Sequence, residues 1–371
     1  MNKVSVMDSP VANDPIVAIV STLLSFPLNP PFRAAIRVFP TVEIALARVR
    51  TASGAEGVGY AFAFDRDDAA TLASLIANLG TQLVGSNALA PVANWRRLWQ
   101  SLTFLGQSGA GSSAMAAIDI ALWDILGKVA GLPLYRLLGA ARESIPSYGS
   151  GGSLAQDTAA LVAEMEGYVA AGHRAVKFKL GHGKSRDVER LAAVRSAVGN
   201  EVRIIVDGNQ QWTGKEALAM ADALAPYEPW WLEEPIAASN LTAYAELRAA
   251  SRIPIATGET NFGAGEFDRM LALRAADIVM PNLQRVGGIT PWRSIAAACD
   301  LRDVPIASHV YAEFNVHLLC SIPNALTLEM VPWWPRLFVE TLAIDDGMVR
   351  PPQGPGLGLT LDTTQVERHA V

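Results

Sequence analysis

The chain has 371 residues, half of them hydrophobic and 18% charged, with a formal net charge of −6. That is enough chain for one large barrel plus a smaller domain, and enough apolar content for a sizeable core. The negative charge without a basic cluster argues against nucleic acid as a partner, and no apolar run of about 18 residues exists to span a membrane. Cys299 and Cys320 set up neither a disulfide framework nor a zinc site, and read as buried small hydrophobes.

Residues 1–15 read as a polar tail carrying Pro10 and Pro15. No charged segment followed by an apolar core and a cleavage site is found, so a cytoplasmic protein is expected. Strand patterns cover Ile16 to Leu24, Val42 to Arg50 and Gly57 to Phe62, with a turn at Ser53-Gly54. Between the first two, Ser25-Phe-Pro-Leu-Asn-Pro-Pro-Phe32 is too rich in proline for a helix and reads as a stiff loop. Helical patterns follow over Asp67 to Leu83, Pro91 to Gln100 and Ser112 to Ala130. In the last, Ala114, Ala117, Ile118, Ala121, Leu122 and Ile125 share a face, and Asp119 and Asp124 read as structural ion-pair partners. Strands followed by a helical cluster predict an α+β domain over 1–140.

From Ile145 the pattern alternates regularly. Eight apolar runs end near Tyr148, Lys179, Asp207, Glu233, Glu259, Pro281, His309 and Glu329, with seven helical patterns between them. Short runs of this type fit strands buried on both faces of a parallel sheet. Lys177 and Lys179 are two apart on one strand and share a face; such close like charges lower a lysine pKa towards the range of a base. A solvated pair on an edge strand is the bland alternative, and the acid-tipped strands that follow displace it. Asp207, Glu233 and Glu259 recur at intervals of 26 residues, the length of a strand, a crossover helix and two loops. Three carboxylates then stand at the C-terminal ends of successive strands, the rim where a (β/α) barrel carries its catalytic groups. They repel one another unless a cation neutralises them, and hard oxygen ligands suit Mg²⁺, with Mn²⁺ admissible. Ile344 to Leu361 closes the chain with short strands and Gly/Pro turns.

In combination, Lys177-Phe-Lys179, Asp207-Gly-Asn209, Glu233-Glu-Pro235 and Gly258-Glu259-Thr resemble the enolase superfamily, in its mandelate racemase-like subgroup. The resemblance runs from about Val17 to the Gly354-Pro-Gly-Leu-Gly segment. It implies a (β/α)7β modified TIM barrel over 141–340 with an N-terminal α+β capping domain over 1–140, completed by 341–371. It also implies a homo-oligomer, from dimer to octamer, and a substrate touched by the segment ending at Phe32. Metal ligands would be Asp207, Glu233 and Glu259. Lys179 would be the base, with Lys177 assisting, and His309 a second base on the opposite face. Glu329 would be a protonated acid bonded to the substrate carboxylate, with Ser150 nearby and Asn209 on an α-hydroxyl. Glu234 reads as support for Glu233. His173, His182 and His369 occupy loop or tail positions, and His317 reads as surface or structural.

The chain departs from the subgroup at Asn282, in Met280-Pro-Asn-Leu-Gln-Arg-Val-Gly287-Gly288, where the resemblance implies an aspartate paired with the histidine. It also lacks the lysine of the muconate-cycloisomerising subgroup there. An asparagine carbonyl can accept the imidazole N–H and hold its tautomer near the substrate, but supplies no charge to stabilise imidazolium. His309 is therefore expected to be a poorer base than acid.

These residues point to Mg²⁺-dependent removal of the α-proton of a small carboxylate substrate, giving an enediolate. With a β-hydroxyl present, protonation by His309 and loss of water dehydrate an acid sugar to a 2-keto acid, which is the favoured expectation. Racemisation of a 2-hydroxy acid is the alternative, suited by aromatic residues around Phe32 and Trp333-Trp334. A third reading, a barrel that binds a carboxylate without turning it over, has no use for a second lysine beside the first.

Overall fold

The computed structural model describes residues 13–34 and 37–371, so most of the expected polar tail lies outside the described residues. Strands β1 (Ile16–Arg33), β2 (Val38–Thr51) and β3 (Glu56–Ala63) form an antiparallel sheet in that order. β1 continues through the proline-rich segment expected to be a loop. The pairing shifts register between Pro27 and Phe32, and Phe32 then rejoins the ladder opposite Phe39. The shift takes Pro30 and Pro31, which cannot donate to a ladder, out of the pairing.

Two helices cover one face of this sheet, α1 (Arg66–Thr81) and α3 (Ala110–Ala130), and α2 (Pro91–Ser101) packs on α3. Asp65 starts α1 by accepting the Asp67 N–H, and Ala69, Leu72, Ile76 and Leu79 then recur at helical spacing on its buried face. α3 is buried nearly all round, because β3 packs on one side of it and the barrel on another. Gly57 and Gly59 permit that approach: a Cβ there would lie 2.1 Å from Ala121 O or 2.2 Å from Ala117 O. Of the two aspartates expected in ion pairs, Asp124 meets Lys128 at 2.7 Å. Asp119 has no such partner among the described residues; it accepts from the Thr290 N–H at 2.8 Å and hydroxyl at 2.7 Å, and burial pushes it up to about 7.

After the short α4 (Leu134–Leu137), eight parallel strands close a barrel. They are β4 (Ile145–Ser150), β5 (Ala175–Lys179), β6 (Arg203–Asp207), β7 (Trp231–Glu233), β8 (Ile255–Thr257), β9 (Ile278–Val279), β10 (Ile306–Ala307) and β11 (Ala325–Met330), which pairs back to β4. The crossovers carry α5 (Thr158–Ala170), α6 (Lys184–Val198), α7 (Gly214–Leu224), α8 (Leu241–Ala250) and α9 (Gly263–Ala272). Then come α10 (Leu283–Val286) with α11 (Ile289–Asp300), and finally α12 (Ala312–Cys320). Among the described residues no helix follows β11 before β12 (Ile344–Asp345) and β13 (Met348–Val349), so the barrel is (β/α)7β. The chain then returns to the cap: Leu357 N–H donates to Asp124, and α13 (Thr363–His369) brings His369 to Ser25 O.

Strand alternation sorts the barrel side chains. Val176 and Phe178 pack outward into the main core, while Tyr148, Ala175, Ile205, Trp231 and Ala256 fill the interior below the rim. Both cysteines are free and buried. No described helix is long and apolar enough to cross a membrane.

Candidate active site

The parallel register pairs Lys179 with Asp207, and Asp207 with Glu233. The alternation that buries Ala175, Ile205 and Trp231 therefore lifts Lys177, Lys179, Asp207 and Glu233 to the C-terminal rim. Glu259 arrives differently. β8 stops at Thr257, and Gly258 turns with φ +127°, where a Cβ would lie 3.0 Å from the Phe267 ring. Oxygens of Asp207, Glu233 and Glu259 lie within 4.8 Å of one another. Asp207 is fixed by the Asn209 N–H at 2.8 Å and Glu233 by Trp231 Nε1 at 3.0 Å. Glu259 Oε2 is buried with no hydrogen bond among the described residues, although His309 Nε2 stands 3.3 Å away.

Both lysines lie among these acids. Lys177 Nζ is 2.5 Å from Glu233, 2.7 Å from Glu329 and 3.8 Å from Asp207, and Lys179 Nζ is 2.5 Å from Asp207. Burial alone would lower both ammonium pKa values, but the carboxylates outweigh it and hold both raised, Lys177 well above its ordinary range. The expected lowering by mutual repulsion is thus overturned, because each ammonium has an acid in direct contact. Burial and mutual repulsion push Glu233 well up and Glu259 up to about 7, against the pull of Lys177. Burial also works to raise Glu329, yet Lys177, His309 and the Val310 N–H at 2.7 Å hold it at about 2. Here Glu329 is an ionised partner of Lys177, not the protonated acid the resemblance implied. Glu234 also lines the cavity, and it accepts from Gln210 and Thr260, tying two rim loops together.

His309 follows β10 by two residues, and β11 and β4 separate its strand from that of Lys179. Behind it, Asn282 caps α10: its Oδ1 accepts from the Gln284 and Arg285 N–H groups, both at 3.1 Å. Its Nδ2 lies 2.8 Å from His309 Nδ1. With the carbonyl engaged by two backbone donors, the amide N–H donates to Nδ1, which leaves the imidazole proton on Nε2. This reverses the expectation that the asparagine carbonyl accepts the imidazole N–H. Burial holds the imidazole down at about 3, with Glu329 opposing and Lys177 and Arg285 adding to the depression. His309 is therefore neutral.

A cavity of about 410 Å³ lies over the rim, lined by Lys177, Lys179, Asn209, Ser150, Glu259, His309, Glu329 and Phe32. Asn282 does not line it and acts only from behind His309. Asn209 Oδ1 is buried without a hydrogen-bond partner among the described residues. The sequence reading missed Phe39, Phe62, Phe64 and Arg285, which also line the cavity. The run Tyr60-Ala-Phe62-Ala-Phe64 carries a usable signal, since alternation puts its aromatics on one face of the strand. Away from the site, His317 is wholly buried, ruling out the surface alternative. Its Nδ1 accepts from the Tyr135 N–H at 3.3 Å and its Nε2 donates to Leu357 O at 2.9 Å.

Residues 17–139 match the family described as Mandelate racemase / muconate lactonizing enzyme, N-terminal domain, and residues 160–366 match Enolase C-terminal domain-like. The chain is 31% identical to a 3,6-anhydro-alpha-L-galactonate cycloisomerase of Streptomyces coelicolor, over 89% of this chain and 92% of the relative. It is 34% identical to an L-talarate/galactarate dehydratase of Salmonella typhimurium, over 86% of this chain and 81% of the relative. A crystal structure of an enolase from Bradyrhizobium, complexed with magnesium and mandelic acid, superposes with a TM-score of 0.91 at 33% identity, covering 97% of this chain and 99% of that one. Likeness on this scale over both domains, together with the three-carboxylate cluster, places the protein in the mandelate racemase/muconate lactonizing enzyme family of the enolase superfamily, as a metal-dependent enzyme.

Proposed function

We propose that the protein removes the α-proton of an acid sugar in a Mg²⁺-dependent reaction and dehydrates it to a 2-keto acid. The observation that carries this reading is the placement of Lys179 and His309 on separate walls of one cavity above the three-carboxylate cluster. The cluster fits a hard divalent cation. Its oxygens converge, Glu259 Oε2 has no hydrogen bond among the described residues, and burial, with repulsion from neighbouring acids, drives Glu233 and Glu259 towards protonation. When bound, such a cation supplies positive charge that neutralises the cluster and favours negative charge on the substrate oxygens.

With Asp207 engaged as a ligand, Lys179 loses the partner that holds its pKa up, and burial then favours the neutral amine, a base. Lys177 donates towards the substrate carboxylate as charge builds there, with Glu329 fixing its ammonium. His309 presents Nε2–H, so it hydrogen-bonds the departing β-hydroxyl but, being neutral, does not protonate it and has no lone pair there to take a proton; the hydroxyl leaves as water by taking the proton that Lys179 removed from the α-carbon, and the enol then tautomerises to the 2-keto acid. Asn209 and Ser150 serve the polar end of the substrate, and Phe32 closes the cavity from the cap. The same reading divides the chain into a cap (1–140, completed by 341–371) and a barrel (141–340), in a cytoplasmic homo-oligomer.

One observation favours a second reading, racemisation of an aryl 2-hydroxy acid. The outer wall is aromatic, with Phe32 stacked on Trp333 at 4.5 Å and Phe62 edge-on to Trp334 at 4.6 Å. The Bradyrhizobium relative carries mandelic acid. Against it stands His309, whose tautomer is wrong for a second base. The test is a panel of mono- and diacid sugars and aryl 2-hydroxy acids, incubated with protein and Mg²⁺. A 2-keto acid from an acid sugar supports dehydration; loss of optical activity in a 2-hydroxy acid, with no 2-keto acid from any sugar, overturns it.

A further inference from the structure

Trp334 stands between two cavities. One is the cavity of Lys179 and His309; the other, about 360 Å³, lies behind it and is lined by Glu313, Leu337, Phe338 and Leu342 among others. Val310, Glu329, Val331 and Trp334 line both, so these side chains form the partition, and Glu329 is already fixed by Lys177 at 2.7 Å and the Val310 N–H at 2.7 Å. The two valines are short and add little reach, whereas a half-buried indole with open space on both sides needs something to fix it. Packing supplies only part of this, through the edge of Phe62 at 4.6 Å and Trp333 at 5.9 Å.

The remainder is one hydroxyl. Tyr60, wholly buried on β3 of the cap, accepts from Trp334 Nε1 at 3.1 Å and donates to Glu313 Oε1 at 2.6 Å. Glu313 belongs to the first turn of α12 and Trp334 to the segment after β11, so this hydroxyl joins the cap to two barrel elements. The ring behind it cannot drift, because Tyr311 stacks on it at 4.8 Å and Phe314 packs at 5.2 Å. Glu313 accepts the Tyr60 proton, which turns the hydroxyl's lone pairs towards the indole N–H.

We propose that Tyr60, oriented by Glu313, is a positioning residue that fixes Trp334 as the partition and so limits the size of the substrate's distal group. The proposal rests on the reading that the Lys179–His309 cavity holds the substrate. Tyr60→Phe keeps the stacked ring and removes both bonds, letting the indole swing and joining the two cavities. Glu313→Gln keeps a carbonyl acceptor for Tyr60 and should behave as wild type.

The experiment has two arms. The first is ¹⁹F NMR of protein labelled with 5-fluorotryptophan, with the Trp334 resonance assigned by its loss in Trp334→Phe. It should shift or broaden in Tyr60→Phe and stay in place in Glu313→Gln. The second measures kcat and KM on 2-hydroxy acids and acid sugars of increasing distal size. Tyr60→Phe should raise kcat/KM for the larger members relative to the smaller by roughly 10-fold or more, mainly through KM. If Tyr60→Phe fails to fold, Trp334→Phe, which removes the indole donor and shortens the partition while leaving the Tyr60–Glu313 bond, should give the same shift in size preference. A Trp334 resonance unmoved in Tyr60→Phe, or a size preference unchanged in these variants, overturns the proposal. A wild type inactive on every substrate, with the resonance still moving, faults the reading of the cavity and leaves the Tyr60 contact supported.

Discussion

Replacing Asn282 by aspartate tests whether the tautomer of His309 decides which proton transfers are open. Asn282 spends its carbonyl oxygen on the Gln284 and Arg285 N–H groups at 3.1 Å, and presents its amide N–H to His309 Nδ1 at 2.8 Å. In Asn282→Asp one oxygen can still cap α10 while the other, now anionic, faces Nδ1 and demands a proton there. The imidazole must then carry its proton on Nδ1 and expose the Nε2 lone pair to the cavity. An opposite charge at this range raises a pKa by roughly 1–3 units. Starting from about 3, the imidazole stays mostly neutral at pH 7, now in the form of a base. A positioned base contributes roughly 10²–10⁴-fold. The assay is deuterium incorporation at the α-carbon of both epimers of a substrate in D₂O with Mg²⁺. Wild type should exchange only the epimer that presents its α-proton to Lys179, and Asn282→Asp should gain exchange on the other by about 10²-fold or more. Equal exchange on both epimers by wild type would refute the tautomer argument and favour racemisation.

Three further outcomes follow from the geometry. Chelation should abolish turnover and lower the melting temperature, and adding back Mg²⁺ at about 100 times its Kd should restore roughly 2.7 kcal/mol, read by calorimetry. Lys177→Met strands Glu233 and Glu329 without their ammonium, so it should cost about 3–5 kcal/mol in urea unfolding of the metal-free protein and reduce kcat by about 10²-fold or more. His317 is depressed by burial from 6.5 to about 4 in the folded state. The unfolded chain therefore takes up its proton first as pH falls; stability from the neutral ring is full above 6.5 and lost towards 4, by roughly 3 kcal/mol. Urea midpoints of wild type and His317→Gln should show this extra pH dependence only in wild type.

The rim was legible because its signal is periodic. Acid-tipped strands at equal spacing put Lys179, Asp207 and Glu233 into adjacent positions of one parallel ladder, and a parallel ladder transmits register from strand to strand. What the sequence left open depends on competing partners. The direction of the Asn282 amide is set by two backbone donors of α10, and a residue type does not reveal which of its ends is already engaged. The lysine pKa values went the other way because the acids lie nearer than the pattern of the strand alone suggests. Asp119 found Thr290 in place of a cation, a contact across 171 residues of chain. The proline-rich stretch of β1 reads as a loop by composition, yet the ladder tolerates it by slipping register around Pro30 and Pro31. The aromatics from Tyr60 to Phe64 alternate visibly, but only the fold shows that Phe62 and Phe64 reach the cavity while Tyr60 stays wholly buried behind it.

The central claim is that Lys179 takes the α-proton at the rim. Its most direct measurement is the rate of α-proton exchange in D₂O with Mg²⁺, on a substrate found by the panel, for wild type and Lys179→Ala. Exchange should persist in wild type even where turnover is slow, and fall to the uncatalysed rate in Lys179→Ala while substrate binding by calorimetry is retained. Exchange in Lys179→Ala at the wild-type rate would contradict the account.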